Sequence, residues 1–230
     1  MASSSPQGRL PTGFREVQWL QGTGTQYCDT GVQPIYTNSD FTSIKGDITV
    51  LDKTQSQFWL NSKWWQIHSS VSSEFIYGIR YYYAQTNPDT YKALFAYNYG
   101  LSSAARGNVD YTNSVFPLDI HFEINKNNII VNQNTITRHS DIKYNPAQQR
   151  TLLIGAYYTG YSADPIAINN KQTRVKSLFI YNNDTLLYEF VPCYRASDNK
   201  TGFMKITVDD GSTEFCPNLG TDEWVIGTVV

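Results

Sequence analysis

Hydrophobic residues in this chain recur mostly at every second position, and that period limits the fold more than any other feature. Phe41-Thr42-Ser43-Ile44-Lys45-Gly46-Asp47-Ile48-Thr49-Val50-Leu51 alternates with one interruption near Gly46, a natural place for a bulge or twist. Glu16–Leu20, Glu74–Tyr83, Asp119–Ile124, Thr173–Tyr181 and Thr185–Val191 follow the same period. Turn-forming runs separate them. Asn125-Lys126-Asn127-Asn128 leads into Ile129-Ile130-Val131, and Asn182-Asn183-Asp184 precedes Thr185. Lys205–Val208, Asp209-Asp210-Gly211-Ser212 and Thr213-Glu214-Phe215 read as another hairpin. No stretch is amphipathic over a helical length. About a dozen strands in one domain require two stacked antiparallel sheets, so the expected fold is an all-β jelly-roll β-sandwich.

The 230 residues suit one domain, with residues 1–9 a small polar flexible arm and residues 10–230 the folded unit. Charged residues are 17% of the chain and the net charge is −2, so no basic field exists to hold nucleic acid. The apolar residues are too dispersed for membrane insertion. Met1–Gly8 lacks a basic and an apolar signal-peptide region, which implies that the chain does not enter the secretion pathway on its own. Three cysteines, Cys28, Cys193 and Cys216, form neither a disulfide framework nor a zinc knuckle. They read as small buried hydrophobes, with a Cys193–Cys216 bridge left open.

Both ends of the chain carry a pattern. Leu10-Pro11-Thr12-Gly13-Phe14-Arg15-Glu16-Val17-Gln18-Trp19-Leu20-Gln21-Gly22-Thr23-Gly24-Thr25-Gln26-Tyr27-Cys28-Asp29-Thr30-Gly31 resembles the start of a laminin-G-like, concanavalin A-like domain found in gut bacteria and their phages. Phe190-Val191-Pro192-Cys193-Tyr194-Arg195-Ala196-Ser197-Asp198-Asn199-Lys200-Thr201-Gly202 and Phe215-Cys216-Pro217-Asn218-Leu219-Gly220-Thr221 resemble the closing motifs of that group. Cys28 stands where an Ile is usual, and Asn199 where a Gly is usual, a tolerable exchange at a left-handed turn. Gly22-Thr23-Gly24 and Asp29-Thr30-Gly31 are turn chemistry around a short strand. Arg195 and Asp198 are suited to a charge-assisted structural clasp joining the last strands to the first. Such sandwiches host unrelated roles, so the resemblance implies fold more than function.

Concanavalin A-like sandwiches include glycoside hydrolases, whose paired carboxylates commonly alternate as E-x-D-x-E. No strand here has that pattern: Glu74 and Glu123 stand singly, and Asp47 and Asp52 flank an irregularity. His68, His121 and His139 are too scattered for a metal or triad signature. Calcium, which laminin-G-like domains often bind at a loop rim, would have Asp209-Asp210-Gly211 and Asp198-Asn199 to draw on. Neither spaces its oxygens as a calcium loop does. The expectation is a non-enzymatic chain with no metal and no cofactor.

Aromatic residues, 14% of the chain with 17 Tyr, carry the functional signal. Trp59, Trp64 and Trp65 surround Asn61-Ser62-Lys63, Tyr81, Tyr82 and Tyr83 follow, and Tyr157, Tyr158 and Tyr161 lie in a Gly- and Thr-containing loop. Strand neighbours point to opposite faces, so Trp64 and Trp65 cannot both enter one core if their segment is extended. Trp59, Trp64, Trp65, Tyr81, Tyr83, Tyr157, Tyr158 and Tyr161 are therefore the candidate ligand or interface residues, suited to stacking on sugars or to a protein interface. The resemblance, the stand-alone domain and the missing signal imply a phage virion protein, a capsid decoration or fibre component, made in the host cytoplasm. Its partners would be other virion proteins or cell-surface glycans. The alternative is a carbohydrate-binding module on a bacterial surface, with a glycoside hydrolase behind it. A homo-oligomer fits the first two readings, but no heptad or self-complementary stripe in the sequence sets its order.

Overall fold

The computed structural model describes residues 9–35, 40–52, 58–68, 71–81, 92–98, 106–110, 115–137, 151–158, 165–166 and 171–230. Among them the chain forms strands and no helix. A large antiparallel sheet is ordered β11 (Asn134–Thr137), β10 (Asn128–Val131), β9 (Leu118–Ile124), β4 (Thr42–Val50), β15 (Lys171–Asn182), β16 (Thr185–Arg195), β17 (Lys200–Thr207) and β18 (Thr213–Pro217). Strands β1 (Phe14–Glu16), β2 (Leu20–Thr23) and β19 (Val225–Ile226) join it beside β15 and β16. The second sheet is ordered β3 (Cys28–Asp29), β12 (Leu153–Ile154), β5 (Phe58–His68), β6 (Val71–Tyr81), β7 (Lys92–Asn98) and β8 (Arg106–Asp110). A short ribbon pairs β13 (Tyr157–Tyr158) with β14 (Pro165–Ile166).

Local chemistry sets the hairpins. The Asn125 side-chain oxygen accepts the N–H groups of Asn127 at 3.0 Å and Asn128 at 2.8 Å, turning β9 into β10. Asn183 at φ +51° and Asn199 at φ +58° occupy the left-handed region where β15 passes to β16 and β16 to β17. The Gly46 interruption has another cause than a bulge in its own strand. β4 runs against β9 from Ile44 to Val50 without a shift, and the irregularity lies on β15, between Val175 and Ser177. Gly46 is there for space: a Cβ would stand 2.5 Å from the Phe122 ring and 2.8 Å from the Ser177 carbonyl oxygen.

The inner face of the large sheet makes the core. Ile44, Ile48 and Val50 of β4 pack with Ile120, Phe122 and Ile124 of β9, Val175, Leu178 and Ile180 of β15, Phe190 and Phe203. Cys28 and Ile154, from the second sheet, belong to the same cluster, so the two sheets share one interior in a sandwich-like arrangement. Val191, Cys193 and Met204 form a satellite cluster covered by Leu10, Phe14, Ile206 and Phe215.

The segment from Phe14 to Thr23 was expected to carry one strand over Glu16–Leu20, but it is broken, because it changes partner. Glu16 pairs with Cys193 of β16, and Leu20 pairs with Val175 of β15. β15 and β16 also pair with each other, and all three contacts are antiparallel. The bend at Gln18 between β1 and β2 lets one segment serve β16 first and β15 next. Extra residues shift the register on β15 between Val175 and Ser177 and on β16 between Leu186 and Tyr188.

All three cysteines are buried free thiols. Cys193 pairs with Gly202 and Cys216 with Phe203, which puts β17 between them. Two strand spacings, about 9.6 Å, exceed the ~7 Å limit for a bridge, which closes that option.

Candidate functional site

The topology gathers the candidate aromatic residues. Trp59, Trp64 and Trp65 all fall in β5, where the register sets Trp59 opposite Arg80, Trp64 opposite Phe75, and Trp65 opposite Glu74. Tyr81 lies opposite Phe58, Tyr77 opposite Asn98 of β7, and Gly78 opposite Tyr97. The sequence places Tyr157 and Tyr158 in a loop. They form β13 instead, paired with Ile166 and Pro165, and β13 lies against β5. Because Ile154 pairs with Leu60, β13 comes toward the Phe58 end of β5, where Trp59 and Tyr81 lie, while Trp64 and Trp65 lie further along β5 toward its hairpin with β6. Tyr83 and Tyr161 lie outside the described residues.

The motif residues at the two chain ends meet in a second place. Gln26 is fully buried, and its side-chain oxygen accepts the N–H groups of Thr23 at 2.8 Å, Gly24 at 3.1 Å and Thr25 at 3.2 Å. Its amide nitrogen donates to the Thr23 hydroxyl at 2.7 Å and to the Glu223 carbonyl at 3.2 Å. Buried Asn218 accepts from the N–H groups of Tyr27 at 3.1 Å and Gly220 at 3.0 Å, and donates to the Asp222 carbonyl at 2.7 Å. The Glu223 carboxylate accepts from Lys200 Nζ at 2.8 Å, the Thr201 N–H at 2.8 Å and the Thr201 hydroxyl. Burial alone would raise the Glu223 pKa, but these hydrogen bonds outweigh it and hold the carboxyl below its ordinary range. Every group in the network is occupied in closing the fold.

Arg195 donates to Asp198 through Nε at 3.0 Å and a terminal nitrogen at 2.6 Å. That pair spans three residues within the β16–β17 turn, and it holds the Asp198 carboxyl at about 2. The last strands reach the first through the Gln26, Asn218 and Glu223 network. Asp198 also accepts the Lys200 N–H, and Asp210 accepts the Ser212 N–H, so both proposed calcium donors serve as turn acceptors.

The outer face of the large sheet is a polar ladder. Asp47 accepts the Ser177 hydroxyl at 2.7 Å and lies 2.9 Å from His121 Nδ1. Because Ser177 donates to the carboxylate and not to the imidazole, the trio does not reproduce a nucleophile–base relay. Asp119 accepts from Lys176 at 2.8 Å and Thr49 at 2.5 Å, which lowers its pKa. Glu123 pairs with Lys45 at 3.0 Å; burial opposes ionisation there, yet hydrogen bonds from Asn125 and Lys45 pull the carboxyl below its usual range. These exposed cross-strand pairs contribute register and solubility more than stability.

Sequence reading missed Gln26, Asn218 and Glu223 as a unit. A polar residue inside a turn motif reads as surface, and only its burial reveals the role. Compared with protein-family models, with curated proteins and with solved structures, the chain matches none.

Proposed function

We propose that this chain is a non-enzymatic structural or attachment protein of a phage particle, a capsid decoration or fibre component built on a jelly-roll, concanavalin A-like β-sandwich. Its working surface is the aromatic-rich part of the second sheet, on β5, β6 and the adjoining β13. The observation that carries this reading is the gathering of Trp59, Trp64, Trp65, Tyr81, Tyr157 and Tyr158 on adjacent strands. Tyr and Trp dominate interface hot spots because they bury large areas with few rotatable bonds. Asp47, Asp119 and Glu123 accept from Ser177, from Lys176 and Thr49, and from Lys45, so these carboxylates serve cross-strand pairing.

The test is mass spectrometry of particles purified from a lysate of cells that carry the gene. The chain should co-purify at the stoichiometry of a structural component; its absence from washed particles would refute the assignment.

The second reading is a carbohydrate-binding module on a bacterial surface. It is favoured by amides registered beside the rings, such as Asn98 opposite Tyr77. A glycan array with wild type, Trp64→Ala and Trp65→Ala separates the two. This reading requires a sugar signal that at least one substitution removes, and an array with no signal rejects it.

A further inference from the structure

We infer that the segment 225–230, made of β19 and the bridge at Val229, is a dimerisation edge that pairs with the same segment of a second copy of this chain. Residues 225–230 run antiparallel to residues 16–21, with Val225 opposite Gln21, Ile226 opposite Leu20 and Val229 opposite Val17. Among the described residues no strand pairs with the other edge of β19. The edge is apolar and open: Val225, Ile226, Val229 and Val230 are 45%, 40%, 48% and 60% exposed. None of the six residues is charged. Lysine and proline, the side chains that ordinarily guard a sheet edge, are absent from these six residues, and the edge is limited to the short β19 and the bridge at Val229.

The backbone selects an extended strand as occupant, and the side-chain order selects a second copy. Gly227 and Val230 send their N–H groups inward to the Trp19 and Glu16 carbonyls at 2.9 and 3.1 Å, and the Thr228 carbonyl accepts the Gln18 N–H at 3.0 Å. These bonds, with the bridges Ile226–Leu20 and Val229–Val17, leave the amides of Ile226 and Val229 facing away from β2, the strand alternation being interrupted at Gly227-Thr228. A two-fold axis between Gly227 and Thr228 sets Ile226 of one copy opposite Val229 of the other, and Val225 opposite Val230. The two residues with outward amides therefore meet each other, and the order Val-Ile-Gly-Thr-Val-Val becomes self-complementary. The flanks complement as well. The same register brings exposed Arg15 of each copy level with Trp224 of the other, beside exposed Asp222 and Glu223. Six residues a side form a small interface, at the low end of about 1,200 Å², so the dimer should dissociate on dilution.

The experiment is sedimentation velocity of the full chain across roughly 1–100 µM, the range in which a small interface titrates. The wild-type weight-average mass should rise from 26.1 kDa toward twice that value. Ile226→Lys and Val229→Lys should stay monomeric with unchanged far-UV circular dichroism. Val208→Lys, at an exposed apolar residue elsewhere, should behave as wild type. Hydrogen exchange on wild type needs no variant: the Ile226 and Val229 amides should slow at least ~10-fold at the highest concentration. A wild type that is monomeric throughout would give the edge to another chain and overturn the proposal. So would a dimer that survives both edge lysines, or one that only Val208→Lys abolishes.

Discussion

Replacing Gln26 by alanine should destabilise the fold by about 3–6 kcal/mol. One side-chain oxygen satisfies the N–H groups of Thr23, Gly24 and Thr25, and its loss is felt differently at each. Gly24 is buried, so its N–H is stranded at a penalty of about 1–3 kcal/mol. Thr23 is exposed and Thr25 half-buried, so water can replace the acceptor and each loses only about 0.5–1 kcal/mol. The vacated amide volume adds a cavity worth about 1 kcal/mol. Urea unfolding followed by tryptophan fluorescence measures the difference, provided that m is shared between variants. At ~2–4 °C per kcal/mol for a chain of this size, the melting temperature should fall by about 10 °C. Gln26→Leu separates the contributions, because it refills the volume without restoring the acceptor and should remain at least ~2 kcal/mol below wild type. A loss under ~1 kcal/mol in Gln26→Ala would refute the reasoning, since it would mean that the three amides find other partners at no penalty.

Gly220→Ala should be more damaging than Gly211→Ala. A Cβ at Gly220 would stand 1.8 Å from the Thr25 carbonyl oxygen, whereas at Gly211 (φ +69°) it meets nothing within 4 Å. The second substitution should therefore cost only the backbone strain of about 1 kcal/mol, and equal urea midpoints for the two would reject the close approach. Burial pushes the Cys193 and Cys216 thiols up to about 12 and raises the Cys28 thiol well above its ordinary value, so Ellman's reagent should find no reactive thiol in the native protein and all of them after denaturation. Asp119, Glu123 and Glu223 have folded pKa values below their ordinary ones, so their stabilisation is complete above the unfolded values and lost as pH falls through the folded ones. The urea midpoint should be flat from pH 7 to about 5 and drop below about pH 4, with Glu223→Gln dropping less; a decline already complete at pH 5 would contradict it.

The strands of the large sheet were legible because they have one dry face. Leu118–Ile124 alternates as its burial does, and Asn183 and Gly211 mark the β15–β16 and β17–β18 turns in the residue types that a positive φ favours. The segment Phe14–Thr23 was read too simply, because no local signal records a change of partner strand. Gly46 misled for a related reason: a glycine inside a strand signals either a bulge or a close approach, and the approaching ring, Phe122, comes from another strand. The convergence of β13 on β5 was likewise invisible, since Tyr157-Tyr158 carries too few residues to show a period.

The terminal motifs looked like separate blocks in the sequence, yet they are one structural element. A Cβ on Gly202 would stand 2.2 Å from the Cys216 carbonyl oxygen, and Gly220 presses equally closely on Thr25. Gln26 and Glu223 are joined by a hydrogen bond across the seam, and Trp19 lies against Gly227. Each glycine is required because the opposite block occupies the space where its side chain would be. Such a pattern persists for as long as the ends must meet, whatever the protein binds, and therefore speaks only to fold. The aromatic signal has the opposite character. Trp59, Trp64, Trp65, Tyr157 and Tyr158 lie on β5 and β13, outside the hydrogen-bonded seam of Gln26, Asn218 and Glu223. On the proposed function, substitutions that separate binding from folding belong in β5 and β13, and those that unfold the chain belong at the seam.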